Sequence, residues 1–197
     1  MTIQSDDLRL EGVFIPGEAG LRPVLLCAPH PSYGGNMLSE LIVTVGDALS
    51  GMGHPSLRFN YRGVGGSQGT YAGGMGEAKD TRRAADFLCA ETGADRVMVC
   101  GYSFGAWVAL KCAHDSGDIS PLVLVSPPNT MLDFDYGRPV ADTFVFAGTN
   151  DEFCSMELLE TQFPGIITPI EGADHFYSFG LDELTKRIRA VAARIGK

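Results

Sequence analysis

Several common attachments are missing from this sequence. No apolar run approaches the roughly 20 residues that a membrane-spanning helix requires. Lys and Arg number 15 against 24 Asp and Glu and form no cluster, so the formal net charge is −9. An acidic chain of this kind is expected to bind neither nucleic acid nor an anionic membrane surface. The five cysteines, at positions 27, 89, 100, 112 and 154, are odd in number and include no C-x-x-C pair. Neither a disulfide framework nor a zinc site is suggested, and buried free thiols in a reducing cytoplasm are expected. The first residues lack a basic segment followed by an apolar one, so no secretory signal is expected and the location inferred is cytoplasmic.

What is present is a globular composition, 45% hydrophobic and 20% charged, in 197 residues. That length suits one hydrophobic core, read as one domain over 1–197. Apolar β-rich runs are expected to form strands at 8–15, 24–28, 56–61, 96–100, 122–125, 143–147 and 166–170. Helical spacing is expected at 36–49, 78–90, 104–114, 156–161 and 181–195. Alternating strands and helices imply a mainly parallel, doubly wound sheet. The opening strand or strands have no crossover helix, so an antiparallel edge is expected at the N-terminal side.

Residues 101–105 read Gly-Tyr-Ser-Phe-Gly, a match to G-x-S-x-G. An apolar strand leads in and a helix-forming run leads out, the context that a nucleophilic serine needs. So sharp a turn strains the backbone at Ser103, and glycine at 101 and 105 relieves crowding between strand and helix. The helix N-terminus directs the Phe104 N–H and a partial positive charge toward the reacting centre.

A serine hydroxyl needs a base, and the base needs an orienting acid. The loop after the strand at 143–147 carries Asp151 and Glu152; the loop after the last strand carries Asp174 and His175. His175 is the preferred base, because its loop can bring the imidazole over Ser103. His54 precedes a strand, at the wrong edge of the sheet, and His114 lies at the far end of the helix after Ser103, where it suits the helix dipole. Asp151 is preferred to Glu152 as the acid, and Asp174 is assigned to turn-forming hydrogen bonds in its own loop.

After the strand at 24–28 comes Pro29-His30-Pro31-Ser32-Tyr33-Gly34-Gly35. Prolines have no N–H, so His30 is the first choice for a second oxyanion donor, by its backbone, and Tyr33 the second, by amide or hydroxyl. A second glycine-rich stretch, 62–69, lacks the Lys-Ser/Thr of a P-loop and is read as a tight loop near the site.

Together these motifs resemble the α/β-hydrolase superfamily, and within it the small, capless serine hydrolases related to dienelactone hydrolase. The resemblance rests on Pro29-His30-Pro31 with Gly34-Gly35, on Phe59–Gly65 with Ser67, on 101–105, on Gly148 with Asp151, and on Gly172–His175. It departs at Ala28, where the small family often has histidine, and at Ser103, where dienelactone hydrolase uses cysteine. The resemblance implies an α/β-hydrolase fold and hydrolysis of a small-molecule ester or thioester, with no metal, flavin or nicotinamide. The alternative is a catalytically idle scaffold that acts by binding. Only 126–141 separates two strands, too short for a lid. An open cleft is therefore expected, bordered by Pro127, Pro128, Met131, Phe134, Tyr136, Tyr102, Phe104, Phe176 and Tyr177. Tyr33, Tyr102 and Phe176 are the proposed substrate contacts.

Overall fold

The computed structural model describes residues 1–114, 116–132 and 142–195. In chain order the strands are β1 (Thr2–Ser5), β2 (Leu8–Ile15), β3 (Val24–Cys27), β4 (Ser56–Phe59), β5 (Val97–Tyr102), β6 (Ile119–Val125), β7 (Thr143–Gly148) and β8 (Ile167–Ile170). The helices are α1 (Glu40–Ser50), α2 (Met75–Thr92), α3 (Phe104–His114), α4 (Met156–Gln162) and α5 (Leu181–Ile195), with a 3-10 turn at Pro31–Tyr33. The strands form one sheet in the order β1-β2-β4-β3-β5-β6-β7-β8. β1 and β2 are antiparallel to their neighbours; every pairing from β4 to β8 is parallel. This is the mainly parallel sheet with an antiparallel N-terminal edge expected from the sequence.

Every residue of β3, β5 and β6 is buried, which is why these segments read as unbroken apolar runs. Side chains alternate between two cores. Leu25, Val99, Leu122 and Val145 face one, with Ala84 and Leu88 of α2 and Val108 of α3. Leu26, Met98, Val123 and Phe146 face the other, with Ile42 and Val45 of α1 and Leu184 and Ile188 of α5.

Two helix starts differ from expectation. α1 begins at Glu40 rather than 36, because Asn36 is spent on a turn. Its Oδ1 accepts from Leu38 N–H at 2.8 Å, and its Nδ2 donates to the Gly34 carbonyl at 2.9 Å, a local bonding that competes with helix. α2 begins at Met75 rather than 78. The fully buried Glu77 carboxylate accepts the Ala72 and Gly74 N–H groups at 2.9 and 2.7 Å, which satisfies the first turn.

Several backbone N–H groups of the glycine-rich stretch after β4 are engaged within the protein. Gly66 N–H donates to Glu11 Oε2 at 2.8 Å, and this bond, with one from Asn60, holds the Glu11 carboxyl below its ordinary pKa. Arg62 forms a two-pronged pair with the buried Asp80, at 2.7 and 2.9 Å, and its backbone N–H joins the same carboxylate at 3.0 Å. Two protein carboxylates, of Glu11 and Asp80, thus accept backbone N–H groups of this stretch.

Candidate active site

Ser103 sits between the end of β5 and the start of α3 at φ 56°, a left-handed conformation that costs a non-glycine residue energy. Two glycines make the turn possible, and each admits a different neighbour. A Cβ at Gly101 would lie 2.2 Å from the Gly105 carbonyl oxygen, so β5 and α3 touch there. A Cβ at Gly105 would lie 2.2 Å from the Cys27 carbonyl oxygen, so α3 also abuts the end of β3. The second contact brings the loop that begins at Ala28 beside Ser103.

The Ser103 N–H donates to the Val125 carbonyl at 2.9 Å and is engaged by β6. Phe104 opens α3, so its N–H has no carbonyl one turn back within the helix. Among the described residues that N–H has no hydrogen-bond partner.

Three distant residues converge here. His175 Nε2 lies 2.9 Å from Ser103 Oγ, and His175 Nδ1 lies 2.9 Å from each Asp151 carboxylate oxygen. Exposure is 8% at Ser103, 8% at Asp151 and 7% at His175, so the chain of bonds is largely shielded from water. With Asp151 ionised, Nδ1 carries the proton and Nε2 is left as an acceptor toward the serine hydroxyl.

Both loops are held by backbone bonds. A Cβ at Gly148 would lie 2.2 Å from the Ala173 carbonyl oxygen, so only glycine lets β7 end against the loop after β8. Asn150 N–H donates to Ala173 and Thr149 N–H to Ile170, at 2.9 and 3.1 Å. Asp151 Oδ1 also accepts the Phe153 N–H at 2.9 Å. Glu152, the alternative acid, is exposed. Asp174 accepts the Ser178 N–H at 2.9 Å, a bond that lowers its pKa, which is the turn role assigned to it. His54 is buried with Nδ1 2.8 Å from the Arg22 carbonyl, and His114 is the last residue of α3.

The residues expected to meet substrate divide. Tyr33 and Phe176 are 78% and 71% exposed, Tyr33 against His30 at 4.9 Å between ring centroids and Phe176 edge-on to His175 at 5.6 Å. The Tyr33 N–H is engaged by the His30 carbonyl at 3.1 Å, which removes that amide as an oxyanion donor. Tyr102 is a correction: it is 6% exposed, and its hydroxyl donates to the His175 carbonyl at 2.8 Å, so it fastens the histidine loop instead of lining a cleft. Burial raises its pKa accordingly. The Phe104 and Tyr177 side chains are likewise buried, Tyr177 with its hydroxyl 3.1 Å from Ser126 Oγ. Pro127 and Pro128 are buried too, whereas Met131 is exposed. Phe134 and Tyr136 lie outside the described residues.

Two neighbours were not anticipated. Phe153 packs edge-on against His175 at 4.8 Å. Tyr71 lies 5.1 Å from the His30 ring, with its hydroxyl 3.2 Å from His30 Nε2. No motif marks either residue, because the sheet brings their loops together from separate parts of the chain. Four of the five cysteines are buried, and burial pushes the Cys100 thiol up to about 12. Among the described residues no group of three or more His, Cys, Asp or Glu is placed to hold a metal ion, and no helix is long and apolar enough to cross a membrane.

A mainly parallel sheet with a strained serine between β5 and α3 and a histidine after the last strand is the plan of an α/β hydrolase. Residues 13–156 match the family model of the alpha/beta hydrolase fold, and the chain belongs to that family. It is 33% identical to an uncharacterized protein of Rickettsia prowazekii, over 91% of this chain and 82% of the other. An alpha-beta serine hydrolase homologue from Coxiella burnetii superposes with a TM-score of 0.86 at 28% identity, covering 99% of this chain and 96% of that one. A lid-less serine hydrolase from Xanthomonas campestris gives 0.84 at 27% identity, covering 98% and 93%. In this chain β6 ends at Val125 and β7 begins at Thr143.

Proposed function

We propose that the protein is a serine hydrolase of carboxylic esters or thioesters, with Ser103 as nucleophile, His175 as base and Asp151 as the orienting acid. The observation that carries this reading is the continuous set of 2.9 Å contacts from Ser103 Oγ through both nitrogens of His175 to Asp151. Family membership and serine hydrolase relatives support hydrolysis as the activity.

Ser103 Oγ attacks the carbonyl carbon while His175 Nε2 takes its proton. Asp151 stabilises the imidazolium that results. The developing oxyanion is met by the N–H groups of Phe104 and His30, neither of which has a partner among the described residues. His175 then returns its proton to the departing alkoxide or thiolate, leaving Ser103 acylated. A water, deprotonated by the same nitrogen, releases the acid and restores the serine. Exposed Tyr33 and Phe176 flank this centre as substrate contacts.

A fluorophosphonate probe tests the reading directly. Stoichiometric labelling of the wild type and none of Ser103→Ala is expected; an unlabelled wild type favours the idle scaffold. A panel of p-nitrophenyl esters and acyl-CoA thioesters then ranks chain length and leaving group.

A further inference from the structure

The loop on the oxyanion side has an unusual anchor. Pro29 and Pro31 have no N–H, so the segment 29–31 offers one amide, that of His30. The rest of His30 is fully engaged. Its carbonyl accepts the Tyr33 and Gly35 N–H groups at 3.1 and 3.0 Å. Its Nδ1 accepts the Ser32 N–H at 3.1 Å, so Nδ1 is the unprotonated nitrogen. In a neutral ring the proton then sits on Nε2, which donates to the Tyr71 hydroxyl at 3.2 Å. The ring packs against Tyr33, Tyr71 and Phe104 with centroids 4.9, 5.1 and 4.6 Å away. Residue 30 is therefore clamped through ring and carbonyl, and its N–H is the polar group left over.

We propose that the neutral His30 imidazole, held between the Ser32 N–H and the Tyr71 hydroxyl, is a positioning group that aims the His30 amide at the oxyanion, and that protonating this ring switches the oxyanion side off. The inference rests on the hydrolase reading above. An imidazolium carries N–H at both nitrogens, so Nδ1 then confronts the Ser32 N–H as a second donor and the turn opens.

Among the described residues the titratable groups around the ring are few. Tyr33 faces it from its own turn and Tyr71 from the loop before α2; Phe104 of α3 contributes none. Glu77 of α2 favours the charged ring, but desolvation outweighs it and keeps the His30 pKa below the ordinary histidine value. The ring is thus neutral in the neutral range, and the switch operates on the acid side.

The test uses His30→Ala, His30→Asn and Tyr71→Phe. The readouts are the rate constant of fluorophosphonate labelling at Ser103 and p-nitrophenyl acetate kinetics from about pH 5 to 8. His30→Ala is expected to lower kcat by about 10- to 100-fold with KM nearly constant, somewhat less than outright loss of an oxyanion donor. An asparagine oxygen can accept the N–H two residues on, so His30→Asn is expected to recover most of kcat. It cannot titrate. Its log(kcat/KM) is therefore expected to fall on the acid side with a slope of one, where the wild-type slope steepens toward two. Tyr71→Phe is expected to lose about threefold in kcat, the scale of one partly exposed hydrogen bond.

Superimposable acid limbs for wild type and His30→Asn, or an unchanged kcat in His30→Ala, would overturn the role of the ring while leaving the hydrolase intact. A wild type that neither labels nor turns over overturns the hydrolase reading and this inference with it. If circular dichroism shows His30→Ala to be unfolded, the pH profile of His30→Asn and the rate of Tyr71→Phe decide the matter.

Discussion

The two flanks of Ser103 are built by different means. Toward β7 and β8, the loops carrying Asp151 and His175 are laced together by backbone bonds, with Asn150 to Ala173, Thr149 to Ile170, and the Tyr102 hydroxyl to the His175 carbonyl. The Asp151 and His175 side chains are buried there. Toward β3, the loop is half-exposed and is held through the His30 ring, against Tyr33, Tyr71 and Phe104. Under the proposed mechanism the first flank keeps three side chains in line for proton transfer, where a shift of an ångström is costly. In the proposed arrangement the second presents a single amide, set by one side chain.

The sharpest way to break the contrast is to remove the atom both flanks serve. Ser103→Ala is expected to reduce kcat by about 10⁴-fold or more, measured by ester hydrolysis, with little change in thermal stability. Within the stiff flank, Asp151→Asn preserves shape but favours the wrong tautomer of His175. A loss of about 10³- to 10⁴-fold in kcat is expected, and NMR of the imidazole nitrogens checks the tautomer.

Gly148→Val attacks the lacing itself, since its Cβ would fall 2.2 Å from the Ala173 carbonyl oxygen. It is expected to destabilise the fold by about 2–3 kcal/mol, read from urea unfolding, and to lower kcat as His175 moves off Ser103. Tyr102→Phe removes one hydrogen bond from the same flank. About 1 kcal/mol, or roughly fivefold in kcat, is expected from steady-state kinetics.

The smallest effect distinguishes the flanks by pH. The His30 pKa is lowered in the folded protein, so the unfolded chain binds its proton more readily. The associated stability is complete above the ordinary histidine value and declines as pH falls through the folded value. The denaturation midpoint of His30→Asn is therefore expected to drop less between about pH 7 and 5 than that of the wild type.

Much of this plan is visible in the chain itself. β3, β5 and β6 are buried on both faces and advertise themselves as apolar runs. α3 and α5 occupy the expected residues because their helical patterns end at unambiguous breaks. β1 was invisible. Its four residues contain a single apolar side chain, Ile3, and its buried Ser5 is paired with Asp80 on the distant α2. The true start of α2 was hidden for a similar reason: a buried carboxylate at 77 caps amides that composition alone assigned to a loop.

The candidate site divides along the same line. Ser103, Asp151 and His175 were legible because each follows a strand, and strand ends in a parallel sheet share one rim. Tyr102 was misread because aromatic character is the same whether a ring lines a cleft or is packed beneath it.

Local chemistry by itself therefore determined the strand-and-helix order from β2 onward, the strained serine turn with its glycines, and the three side chains placed after three strands. Those features depend on near neighbours in the chain, whose preferences short-range sterics dictate. Only the assembled sheet decided that Tyr102 secures the histidine loop, that Tyr71 meets His30, and that protein carboxylates fill the glycine-rich loop. Those contacts join residues from 18 to 73 positions apart, and no local preference encodes a distance that packing alone creates.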